Sequence, residues 1–209
     1  MQRIILASGS PRRKEILELL GVEFEVVESY YNEDLIKTED PVELVEELAL
    51  QKTLAVAERY PDAIIVGGDT VVVLEGEILG KAGSKEEAKE IFGKLLGKTH
   101  QVVTGVAVIN SLTGERYGGS EQGEVTLREG KEGELEEYVN NERNWRGFAG
   151  AYALQGGAAP FAKEQTGKLS AIIGMPIELT ASLLEEAGVI VEVEPKELEL
   201  SLHGKRVGI

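Results

Sequence analysis

The sequence predicts an α/β fold in which a mixed, twisted sheet is flanked by helices. Apolar, β-branched runs at 3–7, 63–66, 70–74 and 101–109 read as strands. Segments between recognisable caps at 11–20, 41–59 and 176–187 read as helices. The two kinds of segment are intermingled without strict alternation, which favours a mixed sheet over a simple doubly wound one.

Each element has a local reason. The strand at 3–7 runs into the loop Ser8-Gly9-Ser10. The helix at 11–20 follows with Ser10 as N-cap, Pro11 at the first helical position and Gly21 past its end. A strand is expected at 24–27. Asp40 caps the long helix from Pro41, Glu43 completes a capping box, and the helix reaches about Arg59. The strand segments 63–66 and 70–74 lead to a hairpin turn at Glu75-Gly76. Ser84 and Glu87 repeat the capping pattern before the next helix. Strands at 101–109 and 116–127 flank a turn at Thr113-Gly114. A helix at 132–140, an irregular glycine-rich stretch at 147–157, a strand at 169–173 and the helix ending at Gly188 complete the pattern. The tail from Glu192 alternates charge with leucine and suggests no function. With no repeat, low-complexity tract or linker, residues 1–209 are expected to form a single domain.

Composition narrows the function. Hydrophobic residues make up 42% and charged residues 28%, as in a globular domain. There are no cysteines, which excludes disulfides, thiolate zinc sites and a cysteine nucleophile. The apolar start Ile4-Ile5-Leu6-Ala7 is too short for a signal peptide, and no run approaches the ~20 residues of a membrane helix. A cytoplasmic protein without a membrane partner is expected. The net charge of −15 argues against binding duplex nucleic acid, while a small anionic substrate in a locally basic pocket remains compatible with it.

Three local oddities carry chemistry. First, Arg12 and Arg13 occupy the opening turn of a helix, where the dipole favours acids and each cation costs ~0.3–1 kcal/mol unless an anion is near. With the hydroxyls and amides of Ser8-Gly9-Ser10 they form a candidate phosphate cradle. The alternative is that both arginines reach solvent or pair with Glu15 or another acidic neighbour. Second, Lys52 interrupts an apolar helix face of Val45, Leu48, Ala49, Ala55 and Val56. It either snorkels to water or has a buried partner. Third, Asp69 breaks the apolar run from Ile64 to Val73, directly after Gly67-Gly68. If Glu75-Gly76 is a two-residue turn, Thr70 faces Lys81 across the hairpin and Lys81 stands beside Asp69. An acid near a cation in a partly dry cleft suits a general base or a metal ligand; a structural ion pair is the other reading.

Two further patterns fail. Gly93-Lys94-Leu95-Leu96-Gly97-Lys98-Thr99 is one residue short of a P-loop and follows a helix, so Gly97 reads as a helix terminator. The histidines are His100 and His203, which excludes a histidine-pair zinc motif and leaves His100 a structural residue.

Four ordered blocks resemble the Maf family of nucleotide pyrophosphatases, also called septum formation inhibitor proteins. They are the run from Ile5 to Arg13, Gly68-Asp69-Thr70-Val71-Val72, the stretch from Gly80-Lys81 through Thr99-His100-Gln101 to Val106, and Gly150-Ala151-Tyr152-Ala153-Leu154-Gln155-Gly156. Ile173-Gly174-Met175-Pro176 is similar to the family's turn into its last helix, and the likeness extends from Ile4 to about Gly188. The resemblance implies a two-lobed α/β fold similar to inosine triphosphate pyrophosphatase, with the active site in the cleft. It implies hydrolysis of the α–β phosphoanhydride of a nucleoside triphosphate, giving the monophosphate and pyrophosphate. Ser8, Arg12 and Arg13 would hold phosphates. Glu33, Lys52, Asp69 and Lys81 would line the catalytic cleft, with Asp69 as general base.

Arg12, Thr70 and Gln155 look like the branch acting on dTTP and UTP, and a glutamine amide can pair with both a carbonyl and an N–H of a pyrimidine edge. The same reaction on another base such as 7-methyl-GTP is the nearest alternative. A nucleotide-binding regulator of division without turnover is the other. A divalent cation, Mg²⁺ or Mn²⁺, is expected as cofactor, with Glu33 and Asp69 as its candidate ligands. A homodimer is left open. The sequence departs from the family pattern at Phe148, where a lysine is frequent, and at Ala82, where a proline is frequent.

Overall fold

A computed structural model describes residues 2–206 of the chain, with side chains to residue 202. The side chain of His203 lies outside the described part. Strand β1 (Arg3–Leu6) leads through helix α1 (Pro11–Leu19) to the short strand β2 (Glu25–Val26). A 3₁₀ turn (Glu33–Leu35) and helix α2 (Pro41–Ala57) precede the long strand β3 (Ala63–Leu74) and strand β4 (Glu77–Leu79). Helix α3 (Lys85–Leu95), strands β5 (Thr99–Asn110) and β6 (Arg116–Leu127) and helix α4 (Glu134–Asn140) follow. Strand β7 (Ala162–Gly167) and helices α5 (Leu169–Ile173), α6 (Ile177–Glu186) and α7 (Pro195–Arg206) end the order. Among the described residues no helix is long and apolar enough to cross a membrane.

The sheet is mixed, as expected, with order β2-β1-β3-β5-β6-β7 and β4 also paired to β3. β1 is parallel to β2 on one side and β3 on the other; the remaining pairs are antiparallel. The crossover through α1 leads from β1 outward to β2, the one through α2 leads from β2 back past β1 to β3, and the two helices lie on opposite faces. α1 packs Ile16, Leu17 and Leu20 with Leu6, Ile64 and Val66. α2 packs Val56 with Ile5, Ala7 and Ile65. The end of β1 is therefore a topological switch point, the usual place for a ligand crevice in such sheets.

β3 and β5 pair without a bulge from Ile64–Asn110 to Val73–Gln101, so successive residues alternate between faces. Gly67, Asp69, Val71 and Val73 face α2. Gly68, Thr70, Val72 and Leu74 face the other helices. A Cβ at Gly105, the partner of Asp69, would overlap the Val45 carbonyl of α2; one at Gly67 would overlap the Thr53 hydroxyl. Two glycines thus let α2 lie almost directly on the sheet. On the opposite face the core divides in two. One cluster holds α1, α6 and Leu202 of α7 against Val66 and Val108; the other holds Phe92, Tyr138, Trp145 and Phe161 against Val72 and Val102. Leu154 touches both.

The site arises from a gap in the sheet. β1 covers β3 only along Ala63–Val66, and β4 covers it only along Val72–Leu74. Residues 67–71 have no strand on that side among the described residues, so Asp69 and Thr70 meet an opening.

Several sequence expectations need correction. Residues 169–173 form the short helix α5, not a strand. All five are buried, and a five-residue apolar run has no period to separate helix from strand. The missing strand is β7, whose exposed Lys163, Glu164 and Thr166 suit a sheet edge and show no apolar alternation. The strand expected at 24–27 is reduced to Glu25–Val26. The hairpin keeps the expected register but ends at Val72–Leu79. Lys81 bridges to Ala149 instead of facing Thr70. Within the tail, Pro195–Arg206 form the helix α7, which docks on the core through Leu202.

Gly105→Ala should lower stability by about 1–3 kcal/mol, because the added methyl would push α2 off the sheet. A urea midpoint equal to that of the wild type would show that the seating of α2 does not depend on this glycine.

Candidate active site

A cavity of about 610 Å³ opens at the gap in β3. Its walls include Ser8 to Arg13, the segment around Glu33, Asp69 and Thr70, Lys81, and Arg146 to Ala149. The structure thus gathers Ser8, Arg12, Arg13, Glu33, Lys52, Asp69, Thr70 and Lys81 in one place. Gln155 lies just outside, one residue beyond the lining Leu154. Its amide nitrogen is buried without a hydrogen-bond partner.

Asp69 is 4% exposed and Lys52 is 8% exposed. Lys52 Nζ donates to Asp69 Oδ1 at 2.5 Å and to Glu33 Oε1 at 2.7 Å. Lys81 Nζ donates to both oxygens of Glu33, at 3.0 and 3.2 Å. The lysine on the apolar seam therefore has a buried partner in Asp69 and a half-exposed one in Glu33, and it does not snorkel. Lys81 is not beside Asp69, as the hairpin register suggested; it reaches the aspartate through Glu33 and Lys52. Charges alternate along this row. Partial burial acts to raise the Glu33 carboxyl, but the hydrogen bonds and charge of Lys52, then those of Lys81, hold it down to about 2.

On the other side of the cavity the two arginines differ. Arg13 is bound inward: Nε donates to the Gly174 carbonyl at 3.0 Å, Nη1 to Ser8 Oγ at 3.1 Å and Nη2 to Thr70 Oγ1 at 3.3 Å. Thr104 donates its hydroxyl proton to the Ala171 carbonyl at 2.8 Å. In the Thr70–Thr104 contact of 2.9 Å, Thr70 is then the donor. Thr70 lines the cavity with its proton committed, and it acts on a ligand chiefly by holding Arg13. Ser8 Oγ accepts from Arg13 and from the Ser10 amide at 3.2 Å, which leaves its O–H as a donor for an anion.

Arg12 is poised rather than bound. Its guanidinium lies 4.4 Å from the ring centre of Phe148, and its Nε is buried with no partner. Burial, and then the charge of Arg13, lower its pKa to about 10, against a smaller opposing contribution from Tyr152. Burial lowers that of Arg13 as well, with Asp69 and Glu33 acting the other way. Ser10 stands at the N-cap of α1 without a side-chain hydrogen bond, and the first turn has no acid. Adjacent, desolvated guanidiniums at an uncapped helix start favour an anion.

Between these groups, Val72, Val102, Ile172 and the rings of Phe148 and Tyr152 form an apolar wall. His100 Nε2 lies 2.6 Å from the Tyr152 hydroxyl. Burial pushes the His100 pKa down to about 4, so the ring is neutral. Sequence reasoning misses Tyr152, Thr104 and the Gly174 carbonyl as parts of the site. Thr104 does leave a signal, as a hydroxyl in the apolar run Val102-Val103-Thr104-Gly105-Val106.

Fold and site together define a cleft for an anionic, phosphate-bearing ligand, set beside a carboxylate–ammonium row whose inner pair, Asp69 and Lys52, is buried. The chain belongs to the Maf family, whose pattern, described as Maf-like protein, matches residues 3–187. A relative from Bacillus anthracis (strain CDC 684 / NRRL 3495) is 43% identical over 192 residues, covering 91% of this chain and 98% of the relative. One from Bacillus cereus (strain G9842) is 44% identical over 177 residues, covering 85% and 91%. Both are named dTTP/UTP pyrophosphatase. The Ham1 protein of Staphylococcus aureus aligns with a TM-score of 0.47 at 14% identity over 98% of this chain and 100% of that one. A likeness that distant carries no weight for fold or function.

His100 yields a pH prediction. Its folded pKa of about 4 lies below its ordinary value of 6.5, so unfolding takes up a proton between the two. Stability should be full above pH 6.5 and fall by up to ~1.4 kcal/mol per unit as pH drops towards 4. Glu33 titrates lower, between 4.5 and about 2, so the windows are largely separate. Urea unfolding at a series of pH values should find one proton fewer taken up in His100→Gln; an unchanged pH slope would refute the assignment.

Proposed function

We propose that this chain hydrolyses dTTP and UTP to the monophosphate and pyrophosphate. One observation carries the reading: the cradle of Ser8, Arg12 and Arg13 faces the row Asp69–Lys52–Glu33–Lys81 across a single cavity. Binding phosphate alone does not call for a buried carboxylate. A carboxylate held by an ammonium at the floor of a phosphate site suits proton abstraction from water. The names of the relatives supply the base and the bond. The net charge of −15 is consistent with a small anionic substrate rather than duplex nucleic acid.

The triphosphate lies with its phosphates between the arginines and the lysines and its base towards the apolar wall. Asp69 orients a water and takes its proton, while Lys52 on Oδ1 fixes the carboxylate. The water oxygen attacks the α-phosphorus and the α–β bridging bond breaks. Pyrophosphate leaves with its charge matched by Arg12, Arg13, Lys52 and Lys81. The protein contributes position and electrostatics, which phosphoryl transfer chiefly requires. Gln155, with an orphaned amide nitrogen next to the cavity, is the candidate for reading the pyrimidine edge.

A divalent cation fits the donor set. Glu33 and Asp69 offer hard oxygens and already converge on one positive group, the Lys52 ammonium. Among the described residues no three acidic or histidine side chains converge, so Glu33 and Asp69 are the two side chains that would hold the cation. When bound, Mg²⁺ or Mn²⁺ would neutralise charge on the phosphate oxygens.

Chromatographic product analysis over a panel of triphosphates tests the proposal. Monophosphate and pyrophosphate, strongest from dTTP and UTP, are expected. Orthophosphate as product would overturn the bond assignment, and preference for another base such as 7-methyl-GTP would overturn the substrate. Asp69→Asn should fold and lose turnover by ~10² or more. Near-normal turnover in that variant would remove Asp69 from the chemistry.

A further inference from the structure

The C-terminal helix reaches the site through a continuous set of hydrogen bonds. α7 lies beyond residue 187, where the family match ends. It nonetheless carries Glu199, which is 6% exposed, into the core. Both Glu199 oxygens meet Ser170 near the start of α5: Oε1 accepts from the Ser170 amide at 3.1 Å and Oε2 from the Ser170 hydroxyl. Ser170 is the hub of the turn between α5 and α6. Its Oγ accepts from the Ile177 amide at 2.9 Å, and its carbonyl accepts from the amides of Gly174 and Met175, both at 3.0 Å. That turn holds Gly174 at φ +115, a conformation that favours glycine. The carbonyl presented there is the one that receives Arg13 Nε. The neighbouring Ala171 carbonyl orders Thr104 and, through it, Thr70, the second anchor of Arg13.

We infer that Glu199 is a positioning residue for Arg13, so that the C-terminal helix forms part of the phosphate-binding apparatus although it lies outside the family core. The chemistry supports this directly. A buried carboxylate is costly without donors, and two of the donors it finds are the amide and hydroxyl that fix this turn. The hydroxyl of Ser170, donating to Glu199, is left with its lone pair turned to Ile177, which locks α5 against α6. Without Glu199 that hydroxyl is free to rotate, and the turn carrying the Gly174 carbonyl loosens. Arg13 then loses the direction of its fork, and with it affinity for a triphosphate. The inference rests on Arg13 as a phosphate-binding group.

The test uses the full chain with Glu199→Ala and Glu199→Gln, and Leu202→Ala as control. Leu202 is a buried residue of α7 in the apolar cluster, without a role in the hydrogen-bond path. Two quantities are read well below the unfolding midpoint: the Kd of α,β-imido-dTTP, which is not cleaved at that bond, and KM against kcat for dTTP. Glu199→Ala should weaken analogue binding and raise KM by about fivefold, with kcat moving less, within the range for residues in one network. Glu199→Gln should fall between it and the wild type. Leu202→Ala should lower the unfolding midpoint but keep Kd and KM within about twofold. In an Arg13→Lys background, Glu199→Ala should add less than about twofold.

An unchanged Kd in folded Glu199→Ala, an equal loss in Leu202→Ala, or a full fivefold effect without Arg13 would each overturn the inference. If Glu199→Ala does not fold, Glu199→Gln in the two backgrounds decides the same question. A wild type that binds the analogue yet does not hydrolyse dTTP would sink the proposed activity while the binding measurements still judge Glu199. A wild type that does not bind it would remove the phosphate role of Arg13 and the inference together.

Discussion

The site depends on how closely α2 lies against the sheet. With Gly67 and Gly105 beneath it, the helix comes near enough for Lys52 to reach Asp69 from above. An ordinary helix–sheet distance would leave a cavity there, filled by water or a longer side chain, and the carboxylate would be solvated. Instead both charges are nearly dry. Such a pair is weak evidence for stability, since its desolvation penalty rivals its attraction, while losing one partner typically costs ~3–5 kcal/mol. Its retention in the floor of a cavity is better explained by chemistry than by folding.

The second determinant is an interruption. β3 is long, but its neighbours on one side are short and leave a window over residues 67–71. Through that window the two faces of one strand serve one ligand site. Asp69, on the α2 side, joins the proton-handling row. Thr70, on the other side, orders the arginine cradle. Consecutive residues of a strand point apart, so this combination needs an open edge. The same edge explains why Arg13 feels Asp69 and Glu33 although it is anchored on the opposite face.

Much of this is legible in the chain. The arginines in a helix start, the lysine on an apolar helix face and the acid in an apolar run are each physical anomalies of the sequence itself, and folding makes them neighbours. What the sequence does not reveal is the division of labour. Arg12 and Arg13 are adjacent and chemically identical, yet one is tied to three acceptors while the other keeps an unpartnered nitrogen; only tertiary placement separates them. For Lys81 the hairpin arithmetic yields the right register and the wrong neighbour, because it does not say where pairing stops. The apolar run at 169–173 is too short for its period to be decisive. Glu199 is hidden in a tail whose alternation of charge and leucine suggests no function until the helix is seen docked.

The two ends of the sheet bear on how copies of the chain can meet. β2 is two residues long with both side chains exposed, and β7 presents Lys163, Glu164 and Thr166 to solvent along its length. Short or charged outer strands resist the addition of another strand. Self-association by adding a strand at either of these two ends is thereby disfavoured, which tilts any contact between copies towards helices and loops.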